Sequence, residues 1–252
     1  MFASSLARKI ENMQTFKSIG RHIQNDHAKP VSSHFYLHKL ITKSEKKTSI
    51  LDLGCGEGNS YELFSELLSN PDWHGVDIED SPEVRQRKSH NLDIQNFNGV
   101  NLPYEDKRFD IIYCNQVLEH VRHPDQLIQD AFRVMKPGSY FIGSVSQLEP
   151  YHSYSIFNFT PYGISQVFED AGFNVLEIRP GSDAYSLISR QLLNRRLKPL
   201  WNHNLLHGLI NIIGWFTRLD KVHLNFLKLQ FSGHLVFLAK KADHNPNKND
   251  PI

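Results

Sequence analysis

Residues Ser49–Ser60 read "SILDLGCGEGNS". A run of strand-forming residues carries a carboxylate, Asp52, and three glycines follow at alternate positions, Gly54, Gly56 and Gly58. Glycine adopts positive φ and lets a ligand approach the main chain, so this turn after a strand predicts a binding loop. "NSYELFSELL" predicts a helix whose N-terminus points at that loop. A phosphate loop would place Lys and Ser/Thr after the glycines, and neither stands at the required positions. Asp52 would repel a phosphate and attract an ammonium group. Asp77 ends the next strand-like run, "WHGVDI", 23 residues past Gly54. There a carboxylate can take both hydroxyls of a ribose. The ligand these residues predict is a nucleoside carrying a cationic group. A nicotinamide dinucleotide site would show G-x-G-x-x-G, whereas this chain has G-x-G-x-G followed by Asn59.

Outward from the turn, residues 48–180 alternate strand and helix signals. "FDIIYCN", "YFIGSV" and "FNVLEIRP" read as further strands. In "HPDQLIQDAFRVMKPG", Pro124 suits the first helical turn and Gly138 is expected just past the end. Leu127, Ile128, Ala131, Phe132 and Met135 make one apolar stripe. In "TPYGISQVFEDAGF", Thr160 is placed to cap, Pro161 to start and Gly172 to stop a helix. The alternation predicts an α/β fold with a parallel sheet covered by helices on both faces. Residues 1–47 form a polar extension with weak helical patterning. Residues 181–232 break the rhythm as an insertion, and the strand "GHLVFLAKKA" follows over 233–242. The polar tail 243–252 is expected to be disordered.

These pieces resemble the class I methyltransferases that use S-adenosylmethionine. "ILDLGCGEG" is similar to that family's first motif and "HGVDIED" to its second strand. "FNGVNLPYEDKRFDIIYCNQVLEHV" and "AFRVMKPGSYFIGSV" resemble its third to fifth strand regions. The resemblance implies a Rossmann-like, mostly parallel sheet of seven strands, with the insertion before the last. It also implies roles. Asp52, Gly54, Cys55, Gly56 and Gly58 would hold the methionine part, Asp77 the ribose, and Ile78 would pack on the adenine. Asn98, beside Gly99, stands where the family usually has an adenine-contacting Asp; its carbonyl oxygen can accept from the adenine amine. Asn115 and Gln116 would lie near the sulfonium.

Methyl transfer needs an aligned acceptor and exclusion of water, and an oxygen acceptor of high pKa needs a base. His120 in "VLEHV" and His152 in "EPYHSYS" are the candidates. "QVLEHV" also resembles metal-dependent quinone O-methyltransferases, but these carry an acid where Gln116 stands, so no metal is expected. His203 and His207 lie four apart without a third ligand. The Pro-Pro-aromatic motif of nucleobase amino methylation is missing after the fourth strand. "EPYHSYSIFNFTPYGISQVFEDAGF" is similar to segments of bacterial glycan and surface-polysaccharide methyltransferases. The predicted activity is therefore methyl transfer to an oxygen of a small, glycan or lipid-linked acceptor. A cofactor-binding but inactive partner subunit is the alternative.

Composition sets the outer limits. The 252 residues carry a net charge of +1 and are 40% hydrophobic, which suits a globular chain and offers no field to draw nucleic acid. Two cysteines, Cys55 and Cys114, make neither a disulfide framework nor a zinc site and suit a reducing, cytoplasmic setting. No apolar run reaches the roughly 18 residues of a membrane span, and "MFASSLARKI" is too short for a secretory signal. Between Ala184 and Leu219 there is no acid, while Arg190, Arg195, Arg196, Lys198 and Arg218 are basic amid Leu, Ile and two Trp. Such a segment fits either the inner, anionic membrane surface or a lid or dimer contact.

Overall fold

The structure, a computed structural model, describes residues 2–41, 47–87, 92–150, 153–193 and 204–242. The tail 243–252, His152, His203, Arg195, Arg196 and Lys198 lie outside these residues.

The glycine-turn stretch opens with strand β1 (Ser49–Leu53), every residue of which is buried. Alternation sends Leu51 and Leu53 into one core layer and Ile50 into the other, the signature of a strand covered on both faces. Three helices precede it: α1 (Phe2–Glu11), α2 (Gln14–Ile19) and α3 (His34–Ile41). Then come α4 (Ser60–Leu67), β2 (Asp72–Asp77), α5 (Pro82–Arg85), β3 (Ile94–Asn96), β4 (Phe109–Asn115), α6 (Pro124–Val134), β5 (Met135–Ser146), α7 (Pro161–Asp170) and β6 (Phe173–Pro180). Among the described residues of the insertion, helices α8 (Ala184–Leu192), α9 (Leu205–Thr217) and α10 (Lys221–Gln230) follow, before β7 (His234–Lys241).

The seven strands order as β3-β2-β1-β4-β5-β7-β6. Those from β3 to β5 pair in parallel, and β7 runs antiparallel between β5 and β6. The chain crosses the sheet between β3 and β4, so the carboxyl ends of β1 and β4 lie side by side. In open α/β sheets that switch point is where ligands bind. One core layer holds Leu127 and Ile128 of α6, Phe168 of α7 and Phe226 of α10. The other holds Tyr36 and Leu37 of α3 and Phe64 of α4. Fully buried side chains of this size each contribute about 1.5–3 kcal/mol.

Helix α7 starts and stops as its residues predict: the Thr160 hydroxyl accepts from Gly163 N (3.0 Å), and Gly172 takes φ +96°. Helix α6 ends earlier than Gly138 implied. The carbonyls of Arg133 and Val134 accept from Lys107 N and Arg108 N, and Met135 already pairs with Phe109 in the sheet. Gly138, at φ +75°, sits instead where the β4–β5 register shifts between Phe109 and Ile111.

The N-terminal segment is strapped onto the sheet. Arg179 of β6, 2% exposed, donates to both carboxylate oxygens of Asp26 at 2.8 Å and to Glu177 at 2.8 Å. Its guanidinium stacks 4.9 Å from the Phe35 ring centre. From α10, Asn225 donates to the carbonyls of Gln24 and His27, and Lys228 donates to that of Ala28. The strap delivers Ser33 and α3 to the carboxyl end of β4.

Candidate cofactor and acceptor site

After β1 the chain turns sharply. Gly54, Gly56 and Gly58 take φ of +74°, +51° and +85°. A Cβ on Gly54 would lie 2.4 Å from Val117 Cγ2, and one on Gly58 would lie 2.6 Å from Leu92 Cδ1. Glycine is thus required by conformation and by space. Gly54 N and Cys55 N both donate to the Val76 carbonyl, which fixes the turn against the end of β2.

Asp77 meets the turn from β2. Its two carboxylate oxygens accept from Gly56 N (2.6 Å) and Ile78 N (2.7 Å). A carboxylate has about four acceptor sites, so Asp77 keeps capacity for ribose hydroxyls while already fixed in place. Burial pushes its carboxyl upward, against the two main-chain N–H groups. Arg87 donates to the Gly56 carbonyl through Nε (3.0 Å) and Nη2 (2.7 Å), closing the far side. Ile78 is 41% exposed beside Asp77, an apolar surface of the kind a base can cover.

Asp52 is the more unusual group. It is buried, and among the described residues the Ser60 hydroxyl is its hydrogen-bond donor. Trp73 Nε1 in turn donates to Ser60 Oγ at 3.0 Å. Burial first, then the Asp77 charge, pushes the Asp52 carboxyl up to about 7. Two carboxylates at one turn, one without a cationic partner among the described residues, form a site short of positive charge. The ammonium and sulfonium of S-adenosylmethionine supply it, so the residues fit that cofactor. Cys55 is buried, and its thiol is pushed up by desolvation and by Asp52, so it packs as a neutral group.

Asn98 departs from the role its position implied. Its Oδ1 accepts from Val100 N (3.0 Å) and Asn101 N (2.7 Å), closing a turn with Gly99 at φ +84°. Both lone pairs are committed, so Asn98 can offer a ligand its amide N–H groups and not an acceptor.

At the end of β4, Asn115 Oδ1 accepts from Ser33 Oγ (2.9 Å) and Ser144 Oγ (2.6 Å). Gln116 sits at φ +58°, with its oxygen on Val145 N (3.2 Å) and its amide nitrogen on Glu119 Oε1 (3.1 Å) and Ser146 Oγ (3.2 Å). His120 closes the 3₁₀ turn Leu118–His120. Beyond it lies a group that residue patterns did not single out: Glu119, Ser146, Glu149 and His234. Glu149 Oε2 accepts from Ser146 Oγ (2.7 Å) and lies 2.6 Å from His234 Nε2. His207 is buried on the Lys228 carbonyl, and among the described residues no His, Cys, Asp and Glu cluster could hold a metal ion.

Comparison with known proteins places this geometry in context. The methyltransferase domain family matches residues 31–178. A probable S-adenosylmethionine-dependent methyltransferase of Mycolicibacterium smegmatis is 27% identical over 138 residues, 50% of this chain and 52% of that protein. A ubiquinone biosynthesis O-methyltransferase of Coxiella burnetii is 30% identical over 173 residues, 57% of this chain and 70% of that protein. The chain therefore spans about half the length of the first relative. The [4+2]-cyclase SpnF shares the fold, with a TM-score of 0.54 at 17% identity over 95% of this chain and 96% of its own; its name is a reminder that fold alone does not fix chemistry. With more than half its length matched and the glycine turn, Asp52 and Asp77 in place, the chain belongs to the class I S-adenosylmethionine-dependent methyltransferase family.

Proposed function

We propose that the protein transfers the methyl group of S-adenosylmethionine to an oxygen of a small, glycan or lipid-linked acceptor. The observation that carries this is the pair of buried carboxylates, Asp52 and Asp77, at a glycine turn that opens toward Asn115. The cofactor supplies a methyl group already activated on a positively charged sulfur. The protein's work is then binding, alignment and exclusion of water. Asp77 takes the ribose hydroxyls, Asp52 the ammonium, and the main chain at Gly54, Gly56 and Gly58 leaves room for close approach. Ile78 covers one face of the adenine, and Asn98 and Gly99 border its edge through amide N–H groups. Asn115 and Gln116 face the sulfur, and the polar group beyond them faces the acceptor.

The lipid-linked class is supported by α9. Its 13 residues carry no Asp, Glu, Lys or Arg. Leu205, Leu209, Ile212, Ile213 and Phe216 share one face and are exposed, with Trp215 at 74%. Such a face suits the headgroup boundary of a bilayer, although no described helix is long and apolar enough to cross one. Asp183 caps α8 at Ser186 N (2.7 Å) and also accepts from Leu206 N (3.0 Å), so α8 and α9 are held together. Arg190 of α8 reaches Glu149 at 3.6 Å, which links this exposed face to the acceptor end of the sheet.

Incubation with methyl-labelled cofactor and lipid or soluble fractions of a cell extract tests the reading. Label should enter one product, in the lipid fraction, with equal release of S-adenosylhomocysteine. Binding of the cofactor without label in any fraction would favour a non-catalytic partner subunit.

A further inference from the structure

A chain of hydroxyls ends on Asn115, beside the glycine turn. Register pairs Asp52 with Tyr113, so Asn115, two residues on, comes level with Gly54. Alternation keeps Asp52, Tyr113 and Asn115 on one face of the sheet, the face that packs α3. Tyr113 is buried, and among the described residues its hydroxyl has Ser33 Oγ as its partner, at 2.7 Å. A buried hydroxyl hydrogen needs an acceptor, so Tyr113 donates and Ser33 accepts. The Ser33 hydrogen then goes to its other partner, the Asn115 side chain at 2.9 Å. That partner is therefore the carbonyl oxygen of Asn115 and not its amide nitrogen. From the neighbouring strand, Ser144 Oγ approaches the same oxygen at 2.6 Å, a spacing that two oxygens hold only with a hydrogen between them.

Both lone pairs of the Asn115 oxygen are thus committed. The amide nitrogen keeps two N–H donors without a partner among the described residues, and Asn115 is the exposed residue of β4. The strap has fixed what this group offers a ligand, namely hydrogens and no lone pair. A neutral amine nitrogen has a single lone pair, which must reach the methyl carbon, and an N–H aimed at that pair blocks attack. An oxygen has a second pair, so one can take the Asn115 hydrogen while the other attacks.

We propose that Asn115 binds the acceptor atom as a hydrogen-bond donor, which makes that atom an oxygen and rejects amines; this rests on the function proposed above. Ser33 and Tyr113 act through Asn115 and are positioning residues. The hydrogen bond favours the ionised acceptor, whose proton leaves to water before transfer. One oxygen pair then bonds the methyl carbon. The carbon–sulfur bond breaks with its pair going to sulfur, leaving a neutral thioether and an O-methyl product.

Labelling of cell-extract fractions with carbon-13 methyl S-adenosylmethionine, read by NMR, tests this, because the methyl carbon shift separates O-methyl from N-methyl products. Label should appear on oxygen. Asn115→Asp keeps an oxygen for Ser33 and Ser144 and exchanges the two donors for a second carboxylate oxygen. At saturating cofactor it should lower the labelling rate by about 10²-fold. Calorimetry on that variant should show S-adenosylmethionine gaining about threefold or more over S-adenosylhomocysteine, because one carries a positive sulfur and the other does not. Ser33→Ala and Tyr113→Phe should each lower labelling by about three- to tenfold. Neither should lower it further in an Asn115→Ala background, whereas a merely structural role would add. Four results each overturn the assignment while leaving methyl transfer intact. These are label on nitrogen, additive losses, and an Asn115→Asp variant with either a near-wild-type rate or an unchanged cofactor preference. Equal loss of affinity for both cofactor forms in Asn115→Ala would place the amide on the cofactor's carboxylate and overturn it too. Failure of S-adenosylmethionine to bind, or label in no fraction, overturns both readings.

Discussion

The ionised form of Asp52 is held at an energetic cost that a bound cation would relieve. Its carboxyl is pushed up to about 7 by burial, so near neutral pH it is partly protonated in the folded protein and ionised in the unfolded chain. A group raised in this way loses stability for the fold as pH climbs from the ordinary carboxylate range toward 7, since the unfolded state then binds fewer protons. Binding of a cationic ligand favours the ionised form. Calorimetry at pH 6.5 in buffers of different ionisation enthalpy should therefore show proton release on S-adenosylmethionine binding, and Asp52→Asn should abolish that release. Equal heats in all buffers would contradict the account. The glycine turn and the place of Asp77 against it were legible because the spacing that brings them together is local. Asn98 carried a warning in its own neighbourhood: an Asn-Gly pair favours a turn closed by the Asn oxygen. Ser33, Glu149 and His234 were not legible. Ser33 meets Asn115 only because the strap passes over β4, and Glu149 meets His234 only because β7 enters antiparallel in one register.

Among elements, the strap from Gly20 to Ser33 illustrates how tertiary pairing outranks local pattern. Its polar composition gave little sign of structure, yet it is held by Arg179, Asn225 and Lys228. Arg179 pins Asp26, whose carboxyl lies well below the usual range because of the guanidinium hydrogen bonds. That stabilisation is present above the ordinary Asp pKa and is lost as pH falls through the lowered one. Arg179→Ala frees the strap and leaves Glu177 to Lys39 and Tyr36, so it should cost about 1.5–3 kcal/mol, the range for hydrogen bonds between charged groups. Asp26→Asn leaves the Glu177 pair intact and should cost about 1 kcal/mol. Urea unfolding of the two variants measures the difference; equal losses would show that the strap is not held through Arg179. The early end of α6 has the same origin. Its last carbonyls bond Lys107 N and Arg108 N, a long-range pairing that local helix signals do not contain.

For the whole molecule, the mostly parallel sheet and both helical layers followed from strand–helix alternation, because a parallel sheet must be covered on both faces, whereas the strand order was not read from the sequence. The insertion was legible as an interruption and as a basic, apolar segment. The packing of its described helices, and the face of α9 left uncovered, depend on contacts with α1 and α10 that no local pattern encodes. Exposed Arg8, Lys9 and Arg218 lie on α1 and at the end of α9, and each basic group near an anionic surface adds about 1 kcal/mol. Co-sedimentation with vesicles should therefore require anionic lipid and weaken with salt. Leu209→Asp combined with Trp215→Asp should abolish it without changing cofactor affinity. If the wild type ignores anionic vesicles at low salt, protein covers this face and a soluble acceptor is favoured.

Affinity for S-adenosylmethionine, measured by calorimetry for the wild type and for Asp77→Ala, tests the central claim most directly. The wild type should bind one equivalent, in competition with S-adenosylhomocysteine. The folded variant should bind more weakly by about 1.5–3 kcal/mol, the range for hydrogen bonds to a charged group. No binding by the wild type, or an unchanged affinity in Asp77→Ala, would contradict the account.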